Sequence, residues 1–328
     1  MSLDADFIVD RRRMRRKLTF WRVFAVLFAI CAVVAAGVAV GGSGSGVLAG
    51  TTGASIARVT ITGLIRTDRQ RVEAFERLAK SQAKAVIVHI NSPGGTTSGS
   101  EELHDSLMRL KEEKPTVVVV DGLAASGGYI AALGADHIVA GETSLVGSIG
   151  VIFQFPNFSE ALKTLGIKVE EIKSSPLKAA PNGFEPTSPE ARAAIEAIVL
   201  DSYAWFRNLV KTRRGLDDEA LERVADGRVF TGRQGVGLKL VDELGDERAA
   251  VAWLAKERNI DPKTPVRDYR LRDRFSDLPF LHTAAVVTLE VLGLGSFAQR
   301  IEESSAMQAI ERLNLDGLLA LWHPQAAN

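Results

Sequence analysis

A serine followed by two glycines, an Asn-Ser-Pro-Gly-Gly turn and a lysine with apolar neighbours are the residues of this chain whose types and spacing suit acyl-transfer chemistry. Ser126 stands in GLAASGG and reads in two ways. At the start of a helix its hydroxyl meets the positive end of the helix dipole and free backbone N–H groups, which suits a nucleophile. Gly127 and Gly128 would let a substrate backbone come close. The blander alternative is a helix N-cap, the commoner use of serine at such a place. The G-x-S-x-G template of a nucleophile elbow fails, because Ala124 holds the first glycine position. Asn91-Ser92-Pro93-Gly94-Gly95 is likewise either an ordinary Pro-Gly turn or, if it faces Ser126, part of an oxyanion hole. In the second case the N–H groups of Gly94 and Gly127 would hold the developing negative charge.

A nucleophilic serine needs a base. His89 lies in a strand pattern, His104 on a charged helix face and His137 at a strand start, and His282 and His323 fall in the C-terminal segment. None stands in a polar turn of the kind that carries a catalytic imidazole. A lysine serves at neutral pH when burial or nearby positive charge favours its neutral amine. Lys163, Lys168, Lys173 and Lys178 follow the serine. Lys178 stands out in SSPLKAAPNG, where Leu177, Ala179, Ala180 and Pro181 are apolar and no acid is adjacent; the alternative is a solvated surface lysine. The single cysteine, Cys31, excludes an intramolecular disulfide framework and a cysteine-rich metal centre. This chemistry requires neither metal nor cofactor.

The elements that must position these groups read as alternating strands and helices. Strands are expected at Ile56–Ile65, Ala85–Asn91, Thr116–Asp121 and His137–Ala140, with helices at Asp68–Ala83, Ser98–Lys111 and from the serine turn to Ala135. The nearly continuous apolar runs AVIVHIN and TVVVVD suit strands covered on both faces. This order is the grammar of a layered α/β sheet, whose active groups sit at the carboxyl ends of strands. Both glycine-bearing turns fall there, with Ser126 five residues past its strand. An amphipathic helical run from Pro189 through Trp205 and Phe206 is expected to pack on this body.

The 40 basic and 40 acidic residues cancel, so no global field favours a nucleic acid. The balance is uneven, since residues 1–22 hold seven bases and three acids. Residues 1–19 read as a cytoplasmic basic segment. Residues 20–41 read as a transmembrane signal anchor, because Val23–Val40 is uncharged and about 27 Å long as a helix. The basic cluster would stay inside, leaving the rest on the extracytoplasmic side of a bacterial-type cell membrane. A cleaved signal or a soluble helix are the alternatives. Residues 42–55 form a Gly/Ser-rich linker.

The segments NSPGG, GLAASGGYIAALGAD, SLVGSIGV, SSPLKAAPNG and GRVFTGRQGVGLKLVDELG, in that order over about residues 56–250, resemble the short, single-repeat form of signal peptide peptidase A. That family lies in the Clp-protease/crotonase superfamily. The resemblance implies a layered α/β fold with repeated ββα units over residues 56–275. It also implies a Ser–Lys dyad with Ser126 as nucleophile and Lys178 as general base, Gly94 and Gly127 as oxyanion donors, and Ser148 as a hydroxyl that could orient the lysine. For Ser148 an ordinary turn serine remains the alternative. The implied substrates are cleaved signal peptides or other extended apolar peptides at the lipid bilayer. The implied assembly is a homo-oligomeric ring, in which Lys178 of one subunit could complete a neighbour's site. Gly150-Val151-Ile152-Phe153 stands where Clp proteases carry a base histidine, which disfavours that relative. Residues 276–328 read as an amphipathic extension. His282–Phe297 is too short for a second span and holds Glu290. His282–Phe297 and LNLDGLLALWHP are both expected to pack between subunits, with contact at the membrane surface as the alternative and a C-terminal tail that enters the active site as a further option.

Overall fold

The apolar strand runs assemble into one mainly parallel sheet whose central strands are buried on both faces. A computed structural model of the chain describes residues 54–271 and 318–321, together with Trp21. The chain divides into residues 1–53 and 54–328. Of the first unit only Trp21 is described, helical and exposed. Among the described residues no helix is long and apolar enough to cross a membrane; the expected span at 20–41 lies outside them apart from Trp21.

The second unit begins β1 (Ser55–Thr62), α1 (Arg69–Ala79), β2 (Ala83–Ser92), β3 (Gly94–Thr96), α2 (Thr97–Glu113), β4 (Thr116–Ala125), α3 (Gly127–Ala132) and β5 (His137–Ala140). It continues β6 (Leu145–Gly147), β7 (Ile152–Phe153), α4 (Ser159–Thr164), α5 (Pro189–Arg214), α6 (Asp218–Val224), β8 (Val229–Thr231), α7 (Gly232–Gly237), β9 (Glu243–Leu244), α8 (Glu247–Arg258), β10 (Val266–Asp268) and β11 (Leu318–Leu321). The main sheet runs β10-β1-β2-β4-β5-β9, all parallel, and β6 joins the far end of β4 and pairs with β8 antiparallel. A second, three-stranded sheet has the order β3-β11-β7.

Alternation along the strands explains the layering. On β2, Val86, Val88 and Ile90 join the large core with Phe75 of α1, Leu103 and Leu107 of α2, and Phe206 of α5. Ala85 and Ile87 face the other way, into a smaller core with Ala250 and Leu254 of α8. Successive residues of a strand point to opposite faces, so two helical layers demand an unbroken apolar run. The helix starts carry capping residues. Asp68 accepts from Arg71 N–H and Thr96 from Gly99 N–H, while Ser188 caps α5 ahead of Pro189.

The first strand and the first helix end earlier than expected, at Thr62 and Ala79, and Ala83 opens β2; two further departures bear on the site. Strand β4 continues through Gly122-Leu123-Ala124-Ala125, because this stretch finds new partners. Ala124 pairs with Ser92, and Leu123, Ala124 and Ala125 pair with β6. Ser126 therefore follows its strand directly. Leu318–Leu321, read as part of an amphipathic extension, is a strand in the small sheet.

Candidate active site

Three strand ends converge on Ser126. It follows Ala125, whose register partner on β6 is Gly147, and Ser126 N–H donates to the Gly147 carbonyl at 2.8 Å. Helix α3 begins at once, with the Ser126 carbonyl accepting from Tyr129 and Ile130 N–H at 2.9 Å. The serine is buried, 1% exposed, and adopts φ 54° and ψ −115°. A non-glycine residue in that region is strained and is held only by its surroundings. Its hydroxyl forms no capping bond to α3, so the N-cap alternative is not realised. A sharp strand-to-helix turn that presents an unspent hydroxyl at the positive end of a helix is the geometry a nucleophile needs.

The Asn91–Gly95 turn lies against this elbow. A Cβ on Gly128 would stand 2.7 Å from the Ser92 carbonyl oxygen, and one on Gly95 would stand 1.7 Å from the Ile65 carbonyl oxygen. Only glycine permits either approach. Ser92, which the sequence reading passed over, organises the turn. Its Oγ donates to the Gly63 carbonyl at 2.7 Å and accepts from Gly94 N–H at 3.0 Å. Its position in NSPGG was the only signal for it. Gly94 has φ 104°, which suits glycine. The Gly94 N–H is thus engaged by Ser92 Oγ, and it would reach an oxyanion only by sharing. Gly127 is the first residue of α3, where backbone N–H groups lack intrahelical partners.

Ser148 follows β6 as Ser126 follows β4. It is 7% exposed, has φ 51° after Gly147 at φ 94°, and donates its N–H to the Arg228 carbonyl at 2.8 Å. Beside it lies a cavity of about 420 Å³ lined also by Ile152, Val199, Tyr203 and Asp226. The structure therefore brings Ser126, Gly127, the Gly94 turn and Ser148 to one edge of the sheet.

Lys178 is placed differently. It lies in an exposed turn in which its N–H donates to the Ser175 carbonyl, and its neighbour Ala179 has φ 59°. The apolar setting suggested by the sequence is not formed around it within one chain, since Leu177 is also exposed. Phe158, Leu165, Ile167, Ile172 and Phe184 from the same stretch are exposed as well. Of the other lysines, Lys173 is bound by Glu171 and Glu185, at 2.5 and 2.6 Å. These carboxylates hold its ammonium above the ordinary lysine range, which makes it a poor base.

The described histidines serve structure. His89 bonds Asp121 at 2.8 Å and Glu247 at 2.9 Å, and Glu247 is also held by Arg58 at 2.5 and 2.6 Å. His104 is buried in α2, where desolvation lowers its pKa. His137 stacks on Trp253 with ring centroids 4.7 Å apart. His282 and His323 lie outside the described residues.

The profile of peptidase family S49 matches residues 108–261, and that of the Clp protease family matches residues 67–142. A putative protease of Synechocystis is 36% identical over 214 residues, 65% of this chain and 77% of that protein. A putative signal peptide peptidase SppA of Enterococcus faecium is 35% identical over 184 residues, 56% of this chain and 54% of that protein. The chloroplastic serine protease SPPA of Arabidopsis thaliana is 30% identical over 233 residues, 69% of this chain and 34% of that protein. The chain thus spans less than two-thirds of the last two. Among solved structures, a ClpP1 mutant from Listeria monocytogenes is similar over 58% of this chain and 92% of that one, at 16% identity and TM-score 0.41.

Proposed function

The chain belongs to peptidase family S49 and is a serine protease, and on that premise we propose that Ser126 is its nucleophile and Lys178 its general base in the hydrolysis of extended apolar peptides. The observation that carries the reading is the buried, strained, non-capping Ser126 at the start of α3. The neutral amine of Lys178 takes the hydroxyl proton as Ser126 Oγ attacks the peptide carbonyl carbon. Gly127 N–H, joined by a shared Gly94 N–H, stabilises the oxyanion. The C–N bond breaks, the lysine ammonium protonates the departing amine, and an ester remains on Ser126. Water deprotonated by the same lysine then releases the acid.

Exposure of Lys178 supports a base supplied between subunits. A lysine acting on a buried serine must itself be desolvated, and the segment that bears it leaves seven large apolar side chains in solvent, the six above and Val169, which is uncommon on a lone soluble domain. Packing of this segment on a second copy would cover both and bring the partner subunit's Lys178 to Ser126, within a ring-like homo-oligomer. Ser148, buried beside Ser126, is suited to accept from or donate to that amine.

The substrate and place follow from the same reading. Remnant signal peptides are extended and apolar, and the cavity beside Ile152 suits a small or aliphatic side chain. A basic segment at 1–19 and an uncharged run at 23–40 support a single-pass anchor in a bacterial-type cell membrane, N-terminus cytoplasmic and protease outside. The test is complementation. Ser126→Ala and Lys178→Ala assemblies each lose peptide hydrolysis by on the order of 10⁴-fold or more, while Lys173→Met retains it. Dissociated and reassembled in equal amounts, the two inactive variants recover about a quarter of wild-type activity, the share of sites with one intact residue from each. No recovery places the dyad within one chain, and activity surviving either single change refutes the dyad.

A further inference from the structure

Strand β4 reaches Ser126 by way of a bulge. Ile90 of β2 pairs with Val120 of β4 and Ser92 pairs with Ala124, so Asn91 alone stands opposite Asp121, Gly122 and Leu123. The ladder to β2 is interrupted over those residues, and Leu123 pairs instead with Leu145 of β6. A bulge bends its strand and re-aims the residues that follow, and bulges gather beside active sites. Here the residue that follows is Ser126, five positions after Asp121.

A side-chain bond spans the interrupted ladder. Val117 and Val119 of β4 face the smaller core with Ala85 and Ile87 of β2, and alternation puts Asp121 and His89 next in these two rows. His89 Nδ1 lies 2.8 Å from Asp121 Oδ1, and His89 Nε2 lies 2.9 Å from Glu247 Oε2. A carboxylate only accepts, so each bond takes a ring N–H, and the two together take the charged ring. Such charge-assisted bonds are stronger than neutral ones. Glu247 is itself fixed by Arg58, which sets the plane of the imidazole that reaches Asp121. From the β5–β6 connection, buried Ser144 donates its hydroxyl to the Val120 carbonyl at 2.9 Å, at the point where the bulge begins.

We infer that His89 and Asp121 are positioning residues for the proposed reaction: their bond pins the β4 bulge to β2 and so sets Ser126 against the Gly94 turn. The inference rests on Ser126 being the nucleophile. The end of β4 and β6 move as one paired unit that carries Ser126 and Ser148, whereas β2 carries the Asn91–Gly95 turn. The offset between nucleophile and oxyanion donor is therefore the offset between that unit and β2. Two links fix it, the Ser92–Ala124 pairing and the bond from His89, which stands two residues before Asn91. Without the second link, exposed Asp121 and Gly122 are free to shift, and the strained backbone of Ser126 at φ 54° relaxes with them. The pair lies on the sheet face opposite α3, whose Tyr129 and Ile130 belong to the large core, so it acts through the backbone and not by touching the reacting atoms.

The test uses the full chain in its assembled form, with a fluorogenic apolar peptide for turnover and a small fluorophosphonate for labelling of the serine. Asp121→Ala is expected to lower kcat about tenfold, the cost of a shift well short of 1 Å. KM is expected to stay within about twofold of wild type, the mark of an interaction that counts in the transition state, and labelling is expected to slow by the same factor as kcat. Two near-isosteres separate the bonds of the ring. His89→Asn keeps an N–H where Nδ1 stands, toward Asp121, and His89→Gln keeps one where Nε2 stands, toward Glu247. The asparagine variant is expected to hold kcat within about twofold and the glutamine variant to lose about tenfold. All rates are read at a temperature where each variant is folded and assembled, as its denaturation midpoint verifies. An Asp121→Ala protein that lowers the midpoint and leaves kcat unchanged, or equal kcat in the two His89 variants, overturns the positioning role while Ser126 stands. Hydrolysis or labelling that persists in Ser126→Ala overturns the underlying reading instead.

Discussion

Replacing Gly128 by alanine tests whether the close approach of the elbow and the Ser92 turn sets catalytic geometry. Judged by helix propensity alone, the change should help, because alanine in a helix interior is favoured over glycine by about 1 kcal/mol. The surroundings oppose it. The added methyl carbon would stand 2.7 Å from the Ser92 carbonyl oxygen, and that atom is backbone, so no rotamer relieves the contact. Reaching an ordinary separation of 3.4 Å requires the turn and α3 to part by roughly 0.7 Å. Overpacking of this kind costs about 1–3 kcal/mol, so net stability falls by about 0–2 kcal/mol once the propensity gain is set against it. Activity is the sharper readout. The displacement falls between Ser126 and the Gly94 turn, and a misplacement approaching 1 Å costs up to about 10²-fold in rate. The expected result is a 10–100-fold loss of kcat (order of magnitude) with a folded, assembled protein. Gly237→Ala is the control, since nothing lies within 4 Å of the Cβ it would gain; it should leave activity unchanged. Gly128→Ala with wild-type kcat and raised stability would refute the argument.

Tyr129→Phe removes a buried hydroxyl that donates to the Leu240 carbonyl at 2.8 Å. Denaturant unfolding should show a loss of about 1–3 kcal/mol, and an unchanged midpoint would mean that the bond contributes nothing net. Glu247 is held below the ordinary glutamate range, first by the Arg58 hydrogen bond and then by His89, against a desolvation effect that raises it. Its contribution is therefore present above the unfolded carboxylate pKa and is lost as pH falls through the lower folded value. Glu247→Gln should flatten the acid limb of a stability–pH curve, and an acid limb identical to wild type would dismiss this role.

The strands and the nucleophile were legible in the sequence for different reasons. Unbroken runs such as TVVVVD announce burial on both faces, because polar residues would have marked a wet side. HIVA matches β5 residue for residue. The extension of β4 through GLAA was hidden, since Gly122 reads as a break and its continuation depends on β6, which is remote in sequence. Ser126 stood out through its glycines, yet its chemistry became distinct from that of a cap only through a backbone angle that composition does not encode. The strained serine 148 was legible as part of a glycine turn but not as the neighbour of Ser126, a relation made by strand register. Lys178 shows the limit of local context. Leu177 and Ala179 beside it promised burial, but a side chain is buried by what packs on it, and that packing is not supplied by its own chain neighbours.

The amide of Ser126 is bonded to Gly147 and lies at the end of the central strand, beneath buried Tyr129 and Ile130. Hydrogen exchange there requires opening of the sheet itself, so the nucleophile keeps its pose until the whole domain melts. The turn bearing Lys178 has no such protection, since its backbone and neighbours face solvent. Loss of activity on gentle warming would then begin at the lysine segment, with the serine half of the site still native.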